Sequence, residues 1–162
     1  MTDLVAIQIS STPSIEQNLI LVERQLAALP EKPQLVVLPE CFACFGSRDK
    51  AQTEIAEKLD HGPIQSALSA LAKRYNKWIV AGTVPIKPAD AKAGESDSQK
   101  FFAASLVYNN DGVRVSRYDK IHLFDVSVND NTGRYKESAT TLPGEKVVTF
   151  DSPWGTVGQI IC

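Results

Sequence analysis

Apolar positions along the chain alternate between short unbroken runs and stripes at helical spacing. LVAIQI (Leu4–Ile9) is a short run that predicts a buried strand. In the following SIEQNLILVERQLAAL, Ile15, Leu19, Val22, Leu26 and Leu29 recur at intervals of four and three, one stripe of a helix. Ser14 with Gln17 fits a capping box at its start, and Pro30 and Pro33 punctuate its end. LVVL (Leu35–Leu38) predicts a second buried strand. A strand, helix and strand within forty residues make a βαβ unit, whose strands run parallel.

The pattern repeats with variations. A polar helix is expected around residues 49–59. GPIQSALSALAKRYN then places Ile64, Leu68, Leu71 and Tyr75 on one helical face, and WIVAGTV (Trp78–Val84) reads as the next buried strand. Residues 87–100 carry no apolar pattern and are expected to form an exposed loop. FFAASLVYN and VRVSRYDK flank NNDG, a tight-turn signal for a hairpin. HLFDVSVNDNTGRYKESATTLPG reads as irregular, and KVVTFDSPWGTVGQIIC as a second hairpin turning at Pro153–Gly155. The expected class is α/β, with a mixed sheet and helices packed on it, in one domain without linkers or internal repeats.

Composition narrows the function classes. The 17 Lys+Arg are balanced by 19 Asp+Glu, a net charge of −2, which gives no basic footprint for nucleic acid or an anionic membrane. No apolar run is long enough to span a bilayer, and a strand-like stretch begins at once after the N-terminus, so the expected location is cytoplasmic. Cys41 and Cys44 form a CxxC pair in PECFACFG. With only two histidines, His61 and His122, and no second pair, no four-ligand zinc set can be assembled, and no metal or cofactor is expected. The two thiols read as small, partly buried residues rather than a redox pair.

In open α/β sheets, chemistry gathers beyond the carboxyl ends of strands. Glu40 follows LVVLP, Lys120 follows VRVSRYD, and Cys162 closes TVGQII. Singly, these are a rim carboxylate, a snorkelling lysine and a small core thiol. Together they suit acyl transfer: an ammonium favours the thiolate, a carboxylate takes the thiol proton, and the ammonium stabilises an oxyanion. His122 fits packing or hydrogen bonding better than acid–base work. Phe42, Phe45 and Trp154 read as core or rim.

These segments resemble the nitrilase, or carbon–nitrogen hydrolase, superfamily from Met1 to Cys162. LVVLPECF is similar to its first motif, with Glu40 as general base. RYDKIHLFDV is similar to the second, with Lys120 as catalytic lysine, and VGQIIC to the lead-in to the nucleophile, Cys162. RYKESATTLPG supplies Glu137 at the place of the family's second glutamate, which positions the lysine or the base. The resemblance implies an α-β-β-α sandwich with mixed sheets. It also implies hydrolysis of a small carboxylate-bearing amide through a cysteine thioester, and assembly into a homodimer or larger homo-oligomer.

The KIHLFDV and ESATTLPG wording looks most like the Nit-type amidases, among them deaminated glutathione amidases and ω-amidases; nitrilase and carbamoylase branches share the same residues. Arg48 and Arg134 are candidates to meet the substrate's acid group. Family members continue past the nucleophile, where a backbone N–H helps hold the oxyanion. Residues 1–162 are therefore expected to be the N-terminal part of a single hydrolase domain in a longer protein. A chain that truly stopped at Cys162 would be a catalytically dead scaffold.

Overall fold

The computed structural model describes residues 4–46, 51–89, 100–127 and 134–161. Its centre is a six-stranded mixed sheet. β1 (Leu4–Ala6), β2 (Leu35–Val37) and β3 (Trp78–Ile86) run parallel; β4 (Phe101–Tyr108) and β5 (Arg114–Asp119) continue the sheet antiparallel. The β1–β2 crossover is α1 (Ile15–Ala27), where the Ser14 hydroxyl accepts the Gln17 N–H at 3.3 Å; the expected capping box is only half formed, because the Ser14 N–H donates to the Thr12 hydroxyl (3.2 Å) rather than to Gln17.

A second helix, α2, is only the four residues Ala51–Glu54, against the expected helix over 49–59. Tertiary pairing overrides local propensity here. The Glu57 N–H donates to the Pro85 carbonyl (2.9 Å), and the Lys87 N–H donates to the Glu57 carbonyl (2.8 Å). The Glu57 carboxylate is buried and accepts the N–H groups of Ile64 and Gln65, at 2.6 and 3.1 Å. It thereby caps α3 (Pro63–Arg74), whose Gly62 has no capping side chain. A Cβ at Gly62 would lie 2.2 Å from the Glu57 carboxyl carbon, so the cap depends on that glycine.

The sheet is covered on both faces. Val22 and Leu26 of α1 and Ile64 and Leu68 of α3 pack with Val36, Ile79, Ala81, Leu106 and Tyr108 of the strands. On the other face Leu35, Trp78 and Val107 meet Phe150, Trp154 and Val157 of the hairpin formed by β9 (Val148–Ser152) and β10 (Gly155–Gln159). Trp78 stacks on Phe150 at 6.3 Å between centroids. Side chains of successive strand residues thus go to opposite layers, as the period of two requires. The result is helix layer, sheet, second sheet.

The stretch read as irregular holds a short ladder. β6 (Asp125–Ser127) pairs antiparallel with β7 (Arg134–Lys136), a 3₁₀ turn follows at Glu137–Ala139, and β8 (Thr141–Leu142) joins the start of β4 in parallel. The expected loop over 87–100 falls largely on residues outside those described. Among the described residues no helix is long and apolar enough to cross a membrane.

Candidate active site

Glu40 leaves the sheet just beyond β2, and a bulge in β3 fixes its path. The β3–β4 register shifts between Ala81 and Val84. Gly82 there passes so close to the β2 exit that a Cβ would sit 2.0 Å from the Pro39 carbonyl oxygen. Thr83 follows, its buried hydroxyl accepting the Cys41 N–H at 2.7 Å. Cys41 itself takes a left-handed backbone (φ 54°), an uncommon conformation that turns the chain sharply after Glu40. The Gly82–Thr83 pair therefore holds Glu40 from both sides in sequence.

Lys120 is placed by comparable means. Its N–H donates to the Ala103 carbonyl (3.0 Å), and its carbonyl accepts the Gly144 N–H (2.8 Å). Gly144 presses on the preceding Asp119, where a Cβ would lie 2.2 Å from the carbonyl oxygen. Glu137 opens the 3₁₀ turn after β7.

The three side chains converge. Lys120 Nζ donates to Glu40 Oε1 at 2.9 Å and to Glu137 Oε2 and Oε1 at 2.9 and 3.1 Å. Glu137 Oε2 also accepts the Phe124 N–H at 2.7 Å, which ties the residues after Lys120 to the same carboxylate. Side-chain exposure grades across the group: 5% for Lys120, 13% for Glu137 and 35% for Glu40. Burial disfavours the Lys120 cation, but the hydrogen bonds and charges of the two glutamates outweigh it and raise its pKa above the ordinary lysine value. An ammonium has three N–H groups. With one on Glu40 and one shared by the Glu137 oxygens, a third remains for an oxyanion.

A cavity of about 470 Å³ opens over the glutamates. Its wall includes Glu40, Cys41, Thr83, Phe45, Lys136 and Glu137. Cys41 is half-buried at the cavity wall, where burial and then the Glu40 charge push its thiol pKa up, against the Thr83 hydrogen bond, which lowers it. It is poorly suited to be a thiolate. Burial likewise raises the Cys44 thiol. Both are free, and neither is set up for redox coupling by these surroundings.

Cys162 lies outside the described residues, as does Arg48; of Arg134 only the strand backbone is described. The lead-in to Cys162 is firmly held. Gln159 donates to the Ser105 carbonyl and hydroxyl (both 3.2 Å) and accepts from the Ser116 hydroxyl, which fixes β10 against β4 and β5. Ile161 is buried. His122 is exposed and absent from the cavity wall; Phe42 is fully buried, Phe45 is an exposed part of the wall, and Trp154 packs edge-on against Trp78. Sequence reading did not find Gly82, Thr83 or Gly144. Nothing local marks them, because their roles arise from contacts with distant segments.

A buried lysine thus stands clamped by two glutamates at strand ends of a layered α/β/β structure. The carbon–nitrogen hydrolase family model matches residues 4–162, and the chain belongs to that family. It is similar to a deaminated glutathione amidase of Yersinia enterocolitica, 32% identical over 99% of this chain and 54% of that protein. It is also similar to an omega-amidase of Saccharomyces cerevisiae, 33% identical over 92% of the chain and 49% of that protein. A crystal structure of a yeast member of branch 10 of the nitrilase superfamily superposes with a TM-score of 0.76 at 29% identity, covering 99% of this chain and 55% of that one. The chain spans about half the length of the curated relatives it matches.

Proposed function

We propose that residues 1–162 are part of a single carbon–nitrogen hydrolase domain that cleaves small carboxylate-bearing amides through a cysteine thioester. The observation that carries this reading is the Glu40–Lys120–Glu137 contact at the wall of a ligand-sized cavity. In the proposed reaction Cys162 attacks the amide carbonyl while Glu40 takes the thiol proton. Lys120 donates to the oxyanion so formed, and Glu137 holds Lys120 in place. Collapse of the tetrahedral intermediate breaks the C–N bond, and the amine or ammonia leaves with the proton carried by Glu40. Glu40 then activates a water that attacks the thioester, and a carboxylate and the free thiol are released. Each turn restores the starting protonation.

A deaminated glutathione amidase-like substrate is the leading reading, from the similarity across nearly the whole chain. An ω-amidase activity is supported by a similar degree of identity. The assay is ammonia or amine release from a panel of ω-amides, deaminated glutathione, nitriles and N-carbamoyl compounds, using the full-length protein. Turnover of carboxylate-bearing amides that disappears in Cys162→Ala is expected. Undiminished turnover by pure C162A protein would remove Cys162 from its role, and no turnover of any amide by the wild type would overturn the reading. Assembly into a homodimer or larger is part of the same proposal and is read by sedimentation of the full-length protein.

A further inference from the structure

Charge along the cavity wall is unevenly matched. Glu40 and Glu137 both face the cavity, and the one ammonium between them, on Lys120, is shared by the two carboxylates. That group of three carries a net −1. A substrate bringing its own carboxylate would be repelled by it, and more strongly in a partly enclosed space than in water. A second cation on the wall is needed, and among the described lining residues Lys136 is the only one.

Lys136 stands at the end of β7, directly before Glu137, and its side chain is exposed. Its cross-strand neighbour is Asp125. That carboxylate is occupied by the Ser138 hydroxyl and N–H, at 2.6 and 2.9 Å, and faces water. Attraction between Asp125 and Lys136 across such an exposed ladder is weak and screened, so it does not tie the ammonium down. Among the described residues, the wall following Glu137 is neutral, with Ala139, Thr140 and Thr141. The cavity thus has a reactive end at the Lys120 clamp and a separate cation on the strand leading into it.

We propose that Lys136 is the residue that receives the substrate's non-reacting carboxylate, selecting monoamides of small dicarboxylic acids and like compounds over neutral amides. This rests on the amidase reading above and adds to it the residue that recognises the acid group. The expected effect follows from the loss of one charge-assisted contact, about tenfold to a hundredfold in affinity.

The test compares full-length wild type, Lys136→Met and Lys136→Arg in two measurements. Steady-state kinetics use glutaramate and the neutral amide of equal length, pentanamide. Calorimetry measures binding of glutarate, which needs no turnover. Expected for K136M is a fall of tenfold or more in the ratio of kcat/KM for glutaramate over pentanamide, carried mainly by KM, with glutarate binding weakened to match and largely rescued in K136R. An unchanged ratio with unchanged glutarate binding overturns the assignment of Lys136 and leaves the amidase reading standing. Glutarate binding that depends on Lys136, without turnover of these two amides or of any other amide in the panel, keeps the carboxylate subsite and overturns the reaction. Absence of both glutarate binding and turnover of any amide in the panel by the wild type overturns both.

Discussion

Replacing Gly82 by alanine tests whether the β3 bulge sets the position of Glu40. The new Cβ would fall 2.0 Å from the Pro39 carbonyl oxygen and 2.3 Å from its carbon, where real Cβ contacts stay above 3.0 Å. About 1 Å of movement is therefore required. β3 cannot supply it readily, being hydrogen-bonded to β2 on one side and β4 on the other, with the Leu38 N–H on the Val80 carbonyl at 2.9 Å. The Pro39–Glu40 peptide must give instead. A shift of that size takes Glu40 Oε1 out of its 2.9 Å contact with Lys120. Overpacking of this kind costs about 1–3 kcal/mol of stability. Misplacing a catalytic group by ~1 Å costs about a hundredfold in kcat. The assay is a thermal melt with kcat for an accepted amide, beside Gly158→Ala, whose Cβ meets nothing within 4 Å. A Gly82→Ala protein that melts and turns over like the Gly158→Ala protein refutes the argument that this close approach positions the site.

Two further outcomes are expected. Glu137→Gln removes the negative charge that faces the Lys120 ammonium and sets an amide group between that ammonium and the Phe124 N–H; kcat should fall about tenfold to a hundredfold, from ~1.5–3 kcal/mol of lost charged hydrogen bonding, with the circular dichroism spectrum retained. Unaltered kinetics would make Glu137 a turn residue only. Asp60 is held below the usual carboxylate pKa, first by its Arg114 hydrogen bonds at 2.7 and 2.8 Å. A depressed folded-state pKa gives stability that is complete above the unfolded value, about pH 4, and is lost as pH falls through the folded one. Arg114→Met should therefore lower stability at pH 7 by no more than ~1 kcal/mol for so exposed a pair, read as a lower melting temperature, with the difference from wild type closing below about pH 4.

What the sequence disclosed, and what it withheld, follows the range of the interactions. The β1–α1–β2 unit is legible because its periodicity and cap lie within a few residues of one another; Val22 and Leu26 of the stripe are buried as the spacing implies. Of the strand-end residues read from the sequence, Glu40 and Lys120 meet, and Glu137, which the family resemblance supplies, joins them; Cys162 lies outside the described residues. The helix expected at residues 49–59 failed because Glu57 is committed to β3 and to the start of α3, neither of which local propensity can register. The three-residue strands β6 and β7 are too short to display a period. Gly82 and Gly144 look like any strand or turn glycine until the Pro39 and Asp119 carbonyls are placed beside them.

The clamp on Lys120 also has a consequence for the order of folding. Its two halves close very different lengths of chain: 80 residues separate Glu40 from Lys120, but only 17 separate Lys120 from Glu137. On chain entropy alone the longer closure costs about 1.4 kcal/mol more. The Glu137 half can form as a local event around the β6–β7 ladder, whereas the Glu40 half waits for β2, β3, β4 and β5 to align. Completion of the site should therefore coincide with closure of the whole sheet, so that a chain able to hold both carboxylates on one ammonium is already a folded one.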